Sequence, residues 1–172
     1  MKYFTIELIE SDWSEDKHKL WNENVIFYQK HLQSISPLFT NKARKFFLQT
    51  GQSFHDADIH SCKIGNTYSR SGSPSNFVEI EVVPEDSKYL YILRYTKVKN
   101  YRCNITSEHQ YVDCDFDPPK QGVCDHFVLG WWLYDEVSFN ENGNIVHEIV
   151  VSGTNTIFIE CKHFNYSRKK LR

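Results

Sequence analysis

An α+β fold, with two helices preceding an antiparallel sheet, follows from three features of this 172-residue sequence. Apolar residues recur at helical spacing before Phe54, they alternate with period two after it, and the links between the later segments are too short for parallel crossovers. At 20.4 kDa, with 40% hydrophobic and 24% charged residues, a chain of this size can bury roughly 70% of the surface it exposes when unfolded. One domain over 1–172 is expected, divided into a helical part (1–53), a sheet of six to seven strands (54–166) and a basic tail (167–172).

The elements follow in order. Between Trp13 and Ile35 the residues Trp21, Val25, Tyr28, Leu32 and Ile35 advance by four, three, four and three, which is one buried helical stripe. Ser11 or Asp12 can cap it, and Glu15 and Asp16 suit the positive end of its dipole. Ser36-Pro37 then opens a second helix, with Phe39, Ala43, Phe46 and Phe47 inward and Gly51 at its end. The expected strands are Asp58 to Ile64, Phe77 to Val83, Tyr89 to Tyr95, Lys97 to Ile105, His126 to Phe139, Ile145 to Val151 and Thr156 to Phe164. Asn142-Gly143 marks a hairpin between the fifth and sixth of these, so the sheet reads as an antiparallel meander covered on one face by the helices. Gly65 to Asn76 and Thr106 to Gly122 carry loop residues.

Composition narrows the function. Lys plus Arg number 20 against 22 Asp plus Glu, a net charge of −2, so no global field draws the chain to nucleic acid or anionic lipid. The longest apolar run, Phe127 to Tyr134, is far short of the roughly 20 residues of a membrane helix. The opening residues lack the pattern of a secretory signal, and five cysteines without a CxxC pair suit reduced thiols, so a cytoplasmic protein is expected. No GxGxxG, P-loop, GxSxG or HExxH is present.

Three constellations could carry chemistry. His55-Asp56, where the chain enters the sheet, can transfer a proton or ligate a metal, or it can simply lock the corner through bonds to the backbone. Tyr134-Asp135-Glu136 and Val146-His147-Glu148 face each other across the hairpin, with Glu136 expected near Ile149 and Val137 near Glu148. Asp135, His147 and Glu148 could thus join His55 and Asp56 around a divalent metal, although alternating charges on strands also describe an ordinary solvated face. The stretch from Cys103 to His126 holds further ligand types, but its spacings are irregular for zinc. Its Asp113-Cys114-Asp115-Phe116-Asp117 run fails as a calcium loop at Pro118 and Cys124. Of the adjacent Trp131 and Trp132, one is expected in the core and one outside. Tyr89, Tyr91, Tyr95 and Tyr101 could pair strands or form a homodimer, and Arg168 to Arg172 reads as a solvated tail.

The opening Met1-Lys2-Tyr3-Phe4-Thr5, the Phe54-His55-Asp56-Ala57 segment, and Tyr134-Asp135-Glu136-Val137 before Val146-His147-Glu148-Ile149 resemble a bacterial family of domains of unknown function of similar length. That resemblance implies no activity. The His-Asp pair opening a sheet is also similar to small immunity proteins that neutralise bacterial toxins, which implies a binding role with acidic and aromatic residues set against a basic partner. The expectation is therefore a protein-binding module of immunity or accessory type, with a toxin as the possible partner. Its rival is a metal-dependent hydrolase in which His55, Asp56, Asp135 and His147 hold a cation that activates water.

Overall fold

The computed structural model describes residues 1–9, 14–50, 54–68, 74–85, 87–104, 130–152 and 155–171. Six antiparallel strands, β1 (Ala57–Tyr68), β2 (Pro74–Val83), β3 (Tyr89–Asn104), β4 (Trp131–Phe139), β5 (Ile145–Val151) and β6 (Asn155–Lys170), close into a barrel in the order β1-β2-β3-β6-β5-β4. The expected single meander is thus two three-stranded meanders joined at both sides. β3 pairs with β6 from Tyr89↔Lys170 to Asn104↔Thr156, and β1 meets β4 through Ala57↔Trp132 and Asp58↔Trp131. The β1–β4 seam closes the ring through those two pairs alone, which hydrophobic alternation along single strands does not reveal.

Other boundaries also move. The two strands expected over Tyr89 to Ile105 are one, interrupted by Lys97 at φ 53 and a register shift between Val98 and Asn100. A bulge breaks the period of two as a turn would, while the ladder continues through it. Gly65 to Tyr68 and Pro74 to Asn76, expected as loop, extend the β1–β2 ladder. The basic end is no tail up to Lys170: Arg168, Lys169 and Lys170 lie opposite Tyr91, Leu90 and Tyr89. At the hairpin, Asn140 accepts from the Asn142 and Asn144 amides at 3.0 and 2.9 Å, and Gly143 takes φ +65, which a glycine adopts without strain.

The helices precede β1 in the chain. After the short α1 (Ile6–Ile9), α2 (Glu15–Ile35) buries Tyr28 and Leu32 and rests Trp21, Val25 and Ile35 against the core, as its spacing predicts. Its N-cap is Ser14, without a side-chain cap bond; Ser11, Asp12 and Trp13 fall outside the described residues. In place of one second helix come a 3₁₀ turn at Ser36–Leu38, α3 (Asn41–Lys45) capped by Thr40 on the Ala43 amide at 3.2 Å, and a π-helical turn at Phe46–Thr50. The wider turn presents both Phe46 and Phe47 to the barrel. Phe46 meets Phe164 at 4.9 Å, Phe47 meets His147 at 5.2 Å, and Phe54 meets Trp132 at 5.5 Å between ring centres. Each such ring contributes about 1.5–3 kcal/mol by leaving water, so the aromatic cluster binds helices to sheet.

Candidate functional site

β4 alternates Trp132 and Val137 into the core around a register shift between Trp132 and Tyr134, and its pairing sets Val137 opposite His147 and Asp135 opposite Ile149. The expected pairing was one residue off: Glu136, not Val137, faces Glu148. That shift settles which side each acid takes. Asp135 sides with His147, while Glu136 and Glu148 point the other way, because neighbouring residues of a strand face opposite sides.

A chain of hydrogen bonds runs through the barrel. Asp135 takes the Trp132 indole N–H at 3.0 Å on one oxygen and His147 Nε2–H at 2.9 Å on the other, and Tyr95 donates its hydroxyl to His147 Nδ1 at 2.7 Å. A carboxylate oxygen only accepts, so these partners assign the hydrogen of His147 to Nε2 and leave the Nδ1 lone pair for Tyr95. His147 and Tyr95 are fully buried, and burial pushes the Tyr95 phenol well above its ordinary ionisation range. Tyr95 therefore serves as a donor inside the barrel and is not available to the homodimer contact the sequence suggested for it.

The second pair lies at the surface. His55 Nδ1 meets Asp56 Oδ2 at 2.7 Å, and Nε2 meets the Tyr134 hydroxyl at 2.9 Å. Asp56 sits at φ +60, a left-handed corner that Asp tolerates, and its amide donates to the Trp132 carbonyl at 2.8 Å. The corner is thus locked by the Asp56 main chain, while its side chain and that of His55 bond to each other. Tyr134 stacks on Phe4 at 5.7 Å and meets Trp21 edge-on at 4.5 Å. Burial, and then the Asp56 charge, raise its ionisation above the usual phenol value, so it is no activated nucleophile. A pocket of about 260 Å³ lies here, lined by Phe4, Tyr28, His55, Trp132, Tyr134 and Asp135 among others.

The five expected ligands do not assemble. Asp135 and His147 come together, His55 and Asp56 come together, and Glu148 is elsewhere, in an ion pair with the Met1 ammonium at 3.0 Å. Among the described residues no group of three or more His, Cys, Asp or Glu side chains is placed to hold one ion. All four ring nitrogens of His55 and His147 are already bonded to protein groups. Cys103 is exposed on β3, whereas His109, Asp113, Cys114, Asp115, Asp117, Cys124 and His126 lie outside the described residues, and with them the zinc and calcium readings of that stretch.

Glu136 was missed as a functional group. Its carboxylate accepts the amides of Lys2, Tyr3 and Phe4 at 2.7, 2.6 and 2.6 Å, fastening the N-terminal segment against β4. Nearby, the Tyr28 hydroxyl accepts the Val137 amide at 2.8 Å and ties α2 to the same strand. No sequence pattern announces a carboxylate that bonds main-chain amides more than a hundred residues away. Compared with known proteins, the chain matches no family model, and no curated protein or solved structure matches it either.

Proposed function

We propose that this chain is a bacterial, cytoplasmic protein-binding module of immunity or accessory type, related to the family of uncharacterised domains its motifs resemble, and that the His-Asp corner belongs to its binding face. One observation carries the reading: both nitrogens of both candidate histidines are committed to protein partners. A cation or an activated water would have to displace a tyrosine or a carboxylate before either ring could act. The alternative, a metal-dependent hydrolase on His55, Asp56, Asp135 and His147, needs that displacement at two places.

The binding face centres on Trp131, 46% exposed at the β1–β4 seam, with Asp58 opposite it and the exposed His55 and Asp56 at the start of β1. A large aromatic beside acids matches a basic partner surface, with Trp as the energetic anchor and the acids setting orientation and rate of encounter. Among the described residues no helix is long and apolar enough to cross a membrane.

The test is capture of the products of neighbouring genes by the full chain, followed by affinity measurement with Trp131→Ala and with an Asp56→Asn, Asp58→Asn double variant. Loss of at least tenfold with Trp131→Ala, about 1.4 kcal/mol, at unchanged melting temperature supports the reading. Undiminished affinity in both variants overturns this face as the binding surface.

A further inference from the structure

The basic end of the chain has a partner that its sequence position hides. Because β6 continues to Lys170, Arg168 is carried alongside Tyr91 on β3, and the packing of α3 on the same side brings Lys42 and Lys45 to them. Between these elements lies a pocket of about 270 Å³ lined by Lys42, Lys45, Arg168, Ser167, Tyr91 and Tyr166, with no carboxylate among the described residues of its wall.

Among the described residues the three cations have no acidic partner. The Arg168 guanidinium lies 4.5 Å over the Tyr89 ring, and the Lys42 ammonium lies 5.8 Å from the Tyr166 ring centre. Stacking of this kind restrains the long side chains while leaving their N–H groups free to donate. Among the described residues the ion pairs involve Lys63, Arg94, the two histidines and the Met1 ammonium, and none involves Lys42, Lys45 or Arg168. In a chain with two more acids than bases, three cations gathered at one hollow whose described wall holds no acid create a local field opposite in sign to the whole.

We propose that this pocket binds the phosphoryl group of a small phosphate monoester. Arg168 supplies the planar fork that matches two phosphate oxygens, and Lys42 and Lys45 supply point charges for the third. Tyr91 and Tyr166, both half-buried, offer ring faces for the remainder of the ligand. The volume admits a phosphorylated sugar or a mononucleotide. A clustered triad around one hollow, without a stripe of basic residues leading away from it, favours such a ligand over a nucleic-acid backbone.

Isothermal titration of the full chain at about 0.15 M salt with inorganic phosphate, ribose 5-phosphate and adenosine monophosphate tests this. Adenosine and a short single-stranded RNA complete the series. Saturable binding of a phosphate compound with Kd below about 1 mM, none of adenosine, and a loss of tenfold or more in Arg168→Gln and in Lys42→Gln, supports the site. These side chains are exposed, so their variants should keep the melting temperature, and Lys63→Gln serves as a distant control. Equal affinity for phosphate and its esters would name the free anion as ligand, and tighter binding of an ester would assign the tyrosine rings a role; both support the phosphoryl site. No saturable heat up to about 10 mM, unchanged binding in a triple variant lacking all three cations, or binding of RNA alone would overturn it.

Discussion

His147 and His55 make the same two bonds, one ring nitrogen to a carboxylate and the other to a tyrosine hydroxyl, in opposite surroundings. The side chain of His147 is fully buried, whereas that of His55 is 47% exposed. Water competes for the partners of His55 and not for those of the buried His147 ring, so the exposed bonds add less stability than the same geometry inside the barrel. Exposure, then, separates a group that holds the fold from one available to a partner, although both look alike as motifs.

The sharpest way to break this comparison is His147→Ala. It removes a ring packed against Phe47, Tyr95 and Trp132, and strands the Tyr95 hydroxyl and one Asp135 oxygen, so a loss of about 3–5 kcal/mol is expected in urea unfolding. A loss below about 1 kcal/mol would mean that the buried chain of bonds is not structural. Glu136→Ala should follow at about 2–4 kcal/mol, since three amides lose a charged acceptor, and hydrogen exchange at Lys2, Tyr3 and Phe4 should accelerate while β2 stays protected.

Tyr95→Phe should cost about 1–3 kcal/mol near neutrality and also change the alkaline limb of stability. The folded-state ionisation of Tyr95 is raised, so its stabilisation is full below the ordinary phenol value near pH 10 and is lost as pH rises above it. Within that window the folded state retains a proton the unfolded state has released, and each such group lowers stability by about 1.4 kcal/mol per pH unit. Cys161, whose thiol burial pushes up to about 12, starts the same decline about one unit earlier. Melting temperature should fall less steeply above pH 10 in Tyr95→Phe than in the wild type, and an unchanged slope would contradict the buried assignment. At the small end, His55→Ala should cost less than about 1 kcal/mol, because both it and Asp56 face water.

Much of the architecture was legible. The α2 stripe, the hairpin at Asn142-Gly143, and the division of Trp131 from Trp132 all follow from periods that a sequence displays directly. Barrel closure was not, since it rests on two residue pairs between strands far apart in the sequence, Ala57 with Trp132 and Asp58 with Trp131. In the site, strand pairing suggested that an acid of β4 would meet His147, but the expected register set Glu136 on that side and the observed one sets Asp135 there; Tyr95 was missed because it was grouped with other tyrosines. Its alternation with Leu93 already placed it inward. Arg168 was missed for a related reason: a run of charges at a chain end reads as solvated unless the partner strand is known.

We propose that both histidines keep their ring nitrogens in protein bonds, so that the His-Asp corner serves a binding surface and not a metal centre. Long-range ¹H–¹⁵N spectra of the ring nitrogens, recorded as one equivalent of zinc is added to protein purified without a metal column, test it most directly. The account predicts that His147 Nδ1 and Nε2 keep their shifts, that His55 moves no more than an exposed histidine such as His163, and that elemental mass spectrometry finds no stoichiometric ion. A retained ion, with both rings shifted together and the ion lost in His55→Ala, would contradict it and return the site to metal-dependent hydrolysis.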